Sequence, residues 1–205
     1  MTFKRNVSIA IVLFYICGAA PWIGAQDISS KSVGRELDDE ALIAEKQITE
    51  SLSKLSDEDR KLAIAQRFCA SMEYQRLGTM GTPLKLVLDG KPVFICCKGC
   101  GNDAKANPKE TLTKVEKLKK VSAELSKLPP KERRKIESQK YCAIAQGSFL
   151  GSMGAPIKLD FDGKLVYLCC EGCIANAKAN PKKTLARVDE LRRAGLDNDD
   201  AHDHE

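Results

Sequence analysis

The chain has 205 residues, a formal charge of +5, and 43% hydrophobic but only 5% aromatic residues. That length suits one ordinary domain or two small ones, and so few aromatics argue against a large core; small domains of this kind commonly need a metal or disulfides. Basic residues are interspersed with acidic ones without an aromatic stripe, which argues against a nucleic-acid groove.

The N-terminus has the pattern of a secretory signal peptide over residues 1–25. Lys4 and Arg5 precede an apolar run from Val7 to Ile23, and Gly24-Ala25 offers a small-residue cleavage site. Gly18 and Pro21 interrupt the run, which is short for a spanning helix. A periplasmic or secreted protein with no membrane attachment after signal cleavage is therefore expected, in an oxidising compartment where disulfides persist. Residues 26–51 follow as a helical or linker segment, with Leu42, Ile43 and Ile48 among charges.

From residue 52 the chain repeats itself. Cys69, Cys96, Cys97 and Cys100 return as Cys142, Cys169, Cys170 and Cys173, each shifted by 73 positions. Residues 52–118 and 125–191 agree at roughly half their positions, which is the signature of a duplicated unit. Repeat 1 is set at 52–120 and repeat 2 at 121–192. In each, a short helix comes first: Ser56 with Asp59 makes a capping-box pattern, and Pro129-Pro130 opens the second copy. A glycine-rich loop carries Met80 or Met153, most simply a plug for the small core. Alternating residues 84–88 and 91–96 flank Asp89-Gly90, a two-residue hairpin signal that Asp162-Gly163 repeats. After the last cysteine, Asn107-Pro108 and Asn180-Pro181 start a further helix, which in the first copy runs on towards Leu128 and links the copies. An acidic tail, 193–205, holds the only histidines, His202 and His204, and is expected to be disordered. The predicted fold class is α+β: two tandem small Cys-rich modules (helix, β-hairpin, helices) joined by helices.

The candidate metal ligands are Cys69, Cys96, Cys97 and Cys100 in the first copy and Cys142, Cys169, Cys170 and Cys173 in the second. Thiols at the end of a hairpin and the start of a helix suit a metal, because free amides and the helix dipole favour thiolate over thiol. A zinc or copper ion fits such a donor set, with about one per module. The other chemistry that uses such a pattern is a disulfide framework, which would make the protein an extracytoplasmic interaction scaffold without metal. Alternation along a regular strand would send Cys96 and Cys97 to opposite faces, so one of the two is expected as ligand and the other as packed, bridged or held in reserve. Without histidine beside a nucleophile or a carboxylate pair, no enzyme is expected. The expected partners are metal ions and an unidentified protein.

Phe94-Ile95-Cys96-Cys97-Lys98-Gly99-Cys100 and Tyr167-Leu168-Cys169-Cys170-Glu171-Gly172-Cys173 resemble the aromatic-rich strand and C-x3-C end of TRASH and YHS modules. These are small treble-clef-like domains implicated in heavy-metal binding and sensing. The resemblance implies Cys69, Cys96 and Cys100, and Cys142, Cys169 and Cys173, as the ligands. Cys97 and Cys170 fall where the family usually carries another residue.

Overall fold

The computed structural model describes residues 42–73 and 75–200. The segment expected as a signal peptide, most of the 26–51 segment and the end of the tail with His202 and His204 lie outside those residues. The described chain is α+β, as expected. Its elements run α1 (42–53), α2 (Asp57–Gln66), β1 (Leu84–Leu88), β2 (Lys91–Ile95), α3 (Cys100–Ala106), α4 (Pro108–Ser126), α5 (Pro130–Gln139), β3 (Ile157–Phe161) and β4 (Lys164–Leu168). A 3-10 turn at Glu171–Cys173 leads into α6 (Ile174–Ala179) and α7 (Pro181–Asp200).

Local chemistry accounts for these elements. Ser56 caps α2 by accepting from the Asp59 N–H at 3.2 Å, and Asp57, Glu58 and Asp59 face the positive end of the helix dipole. Pro108, Pro130 and Pro181 each stand at a helix start, where a missing N–H costs nothing. Both hairpins are two-stranded and antiparallel, with Leu84 opposite Ile95 and Ile157 opposite Leu168. Their turns have positive φ at both central residues, 46° and 74° at Asp89-Gly90 and 53° and 82° at Asp162-Gly163, matching the twist of the flanking strands. Helix α7 continues to Asp200, beyond position 193 where the tail was expected to begin; no proline interrupts it, and Arg187 pairs with Glu190 along its side. Among the described residues no helix is long and apolar enough to cross a membrane.

Two apolar clusters form, and α4 contributes to both. Val115 packs with Phe94, Ile95 and Leu77, whereas Leu118, Val121 and Leu125 pack with Leu150, Tyr167 and Leu168. The end of α4 therefore does for the second copy what α1 does for the first. Gly78 approaches Ile48 of α1, and Gly151, 73 positions on, approaches Val121. The copies also touch directly. Phe68 of the first meets Phe149 of the second edge to face, with ring centroids 5.3 Å apart. Glu137 binds Arg67 at 2.6 Å and Arg76 at 2.9 Å, and Arg76 also reaches Glu45 at 2.6 Å. Met80 and Met153 do not plug either core. They are 36% and 63% exposed, because their glycine loops turn outward, away from the apolar clusters.

Candidate metal centres

Each cysteine set is assembled by three short segments. Helices α2 and α5 end at Gln66 and Gln139, three residues before the first cysteine, and the residues that follow, Arg67 and Lys140, have φ values of 66° and 62°. At both places the next N–H donates two residues back, Phe68 to Gln66 at 2.8 Å and Tyr141 to Gln139 at 2.7 Å. These are γ-turns of the rare positive-φ kind, a strained conformation that non-glycine residues seldom adopt. The turn sends the chain straight from the helix end to Cys69 or Cys142.

A buried amide then fixes that segment to the return strand. Gln66 Nε2 donates to Phe68 O at 2.8 Å and to Phe94 O at 2.6 Å, and its Oε1 accepts from the Phe94 N–H at 2.9 Å. Gln139 makes the same three bonds with Tyr141 and Tyr167, at 3.0, 2.6 and 2.9 Å. Each glutamine substitutes for a third strand on the open edge of the hairpin and sets the first cysteine against the second. No chemical motif marks either glutamine in the sequence, and the one signal is their identity at the 73-residue offset.

Within this frame the Sγ atoms of Cys69, Cys96 and Cys100 all lie within 4.8 Å of one another, as do those of Cys142, Cys169 and Cys173, and all six side chains are buried. Cys96 and Cys100 are 3.6 Å apart; Cys173 lies 3.8 Å from both Cys142 and Cys169. Four sulfurs bound at 2.3 Å to one tetrahedral ion stand about 3.8 Å from each other, whereas a disulfide needs about 2.05 Å. The spacing fits a shared cation, and all eight described cysteines are free thiols.

The doublets are not in regular strand. β2 ends at Ile95 and β4 at Leu168, so both members of each pair lie in a bend where alternation no longer applies. Cys96 and Cys169 belong to the triads. Cys97 is only half-buried but stands 3.7 Å from Cys100, and Cys170 lies 3.8 Å from both Cys169 and Cys173. The second thiol of each pair thus stays beside the triad, at its solvent edge.

Hydrogen bonding divides the thiols. The Cys96 thiol donates to Cys69; burial opposes the effect, but N–H groups of Met72, Cys96 and Ser71 add to it and bring Cys69 down to about 5. Cys96, as donor to Cys69 and buried, is raised. Burial first, then the charge of Cys69, pushes Cys100 up to about 12. In the second copy burial works against ionisation of Cys142, yet amides of Ala145, Cys169 and Ile144 outweigh it and lower that thiol. Burial chiefly raises Cys169 and takes Cys173 up to about 11. Within each triad only the first cysteine is lowered, and a cation would displace protons from the other two.

One neighbour distinguishes the two sites. Met72 Sδ is 3.9 Å from Cys96 Sγ, and the residue 73 positions later is Ala145. No sequence signal singled out Met72. Comparison with family models, curated proteins and solved structures gives no match for this chain.

Proposed function

We propose that the protein is an exported, non-enzymatic binder of soft or borderline metal ions, with one ion, zinc or copper, held by thiolates in each copy. The observation that carries this reading is the twofold occurrence of three buried thiols within 4.8 Å, in sets related by the same sequence offset. Three converging thiolates are costly to keep close without a cation, since each added charge raises the pKa of its neighbours. A cation removes that repulsion, and its binding free energy then becomes folding free energy for a small core. The likeness of the cysteine segments to TRASH and YHS modules supports the same assignment. Cys97 and Cys170 at the solvent edge favour an exchangeable ion, suited to a buffer or carrier. The signal-like leader supports a periplasmic or secreted site of action.

The test is to purify the chain from its native compartment without reductant, then measure metal and free thiols on the same sample. About two ions per chain, with most thiols reactive after chelation, is the expected result. No metal and no reactive thiol would replace this reading with a disulfide-stapled scaffold.

A further inference from the structure

The two sites share a backbone plan and differ in the donors at their rims. In both, the amide three residues after the first cysteine donates to that cysteine: Met72 N–H to Cys69, and Ala145 N–H to Cys142 at 3.4 Å. Residue 72 or 145 therefore sits at the same place on the rim of each thiol cluster, and only its side chain changes. In the first copy that side chain carries sulfur to 3.9 Å from Cys96 Sγ, about the separation of two ligands on one ion. In the second copy a methyl group stands there. There Cys170 brings a fourth thiol to 3.8 Å from two triad members, Cys169 and Cys173, whereas its counterpart Cys97 stands beside Cys100, at 3.7 Å.

We propose, building on the metal-binding reading above, that the two sites take different metals: the first a soft monovalent ion, Cu(I), held by Cys69, Cys96 and Cys100 with the Met72 thioether, and the second a tetrahedral Zn(II) held by four thiolates including Cys170. The reason lies in the donors. Thioether sulfur is a neutral, polarisable ligand that suits Cu(I), whereas zinc in proteins is held by thiolate, imidazole or carboxylate. Four of the six Sγ separations in the second cluster are 3.8 Å, about the tetrahedral edge, so four thiolates can supply zinc with its full donor set. The duplicated chain thus holds two sites of unlike selectivity on one backbone plan, and loading one metal leaves the other site for a second.

The test uses the full chain with one site disabled at a time: Cys142→Ser with Cys173→Ser to leave the first, and Cys69→Ser with Cys100→Ser to leave the second. Cu(I) affinity is measured by competition with bathocuproine disulfonate under argon, and Zn(II) affinity by competition with a chromophoric chelator. The first site is expected to bind Cu(I) at least about tenfold tighter than the second, the scale on which a single neighbouring group alters metal affinity. Met72→Leu, which keeps the side-chain volume, removes that advantage and leaves Zn(II) affinity unchanged. Ala145→Met raises Cu(I) affinity of the second site, and decides the matter if circular dichroism shows Met72→Leu to be unfolded. Equal Cu(I) affinities at the two sites, or parallel losses of Cu(I) and Zn(II) in Met72→Leu, would overturn the proposal while leaving metal binding intact. Binding of neither metal by either chain would remove the underlying reading as well.

Discussion

Gln66→Leu is the perturbation that best tests how the first site is held together. The replacement preserves most of the side-chain volume on a position only 1% exposed, so packing changes little. What is lost is three hydrogen bonds: to Phe68 O, to Phe94 O and from Phe94 N–H. Phe94 O keeps the Ala70 N–H at 3.2 Å, so its loss is partial. The Phe94 N–H and Phe68 O lose the glutamine beside a new apolar side chain, and a buried group left unsatisfied costs about 1–3 kcal/mol. The expected destabilisation is therefore roughly 2–5 kcal/mol, a large part of a typical domain stability of about 5–15 kcal/mol. Urea unfolding of the metal-free chain, followed by circular dichroism, measures it. Gln139→Leu should give a similar value, since its three bonds match to within a few tenths of an ångström. A loss below about 1 kcal/mol for either variant would show that the glutamine is not what ties the first cysteine to the return strand.

Other consequences can be measured in the same way. Cys100→Ser should lower bound metal from about two ions per chain to about one, by elemental analysis, leaving the second site loaded. In the metal-free chain the Cys69 thiolate should persist well below the ordinary thiol range. Its stabilising contribution is complete above the unfolded value near 9 and lost as the pH falls through about 5, which thiolate absorbance at 240 nm and urea unfolding follow together. Glu137→Gln removes the carboxylate shared by Arg67 and Arg76 across the two copies, all three being 10–16% exposed, and should cost about 3 kcal/mol in urea unfolding. Gly78→Ala should be more damaging than Gly81→Ala. Both have φ near +95°, but only at Gly78 does a Cβ come within 3.1 Å of Ile48 O, so the difference in melting temperature isolates that steric contact.

Sequence alone carried the features whose causes are local. The Ser56 cap, the proline helix starts and the Asp-Gly turns each rest on a few adjacent residues, and the structure has them where they were expected. The thiol triads were legible because the repeat marked Cys69 and Cys142 as belonging with cysteines 27 and 31 positions away. The tertiary structure decided what depends on where distant segments meet. The doublet could not be read from alternation because β2 and β4 end one residue too soon, which frees Cys97 and Cys170 to stay beside their triads. Met80 and Met153 had the composition of core plugs but lie on loops that turn away from both clusters. Met72 gained its place only because the segment after Cys69 folds back over Cys96. The packing of Phe68 on Phe149 and the sharing of Glu137 by Arg67 and Arg76 likewise join positions about 60 to 80 residues apart, a range over which short-range pattern is silent and only the folded chain sets the distances.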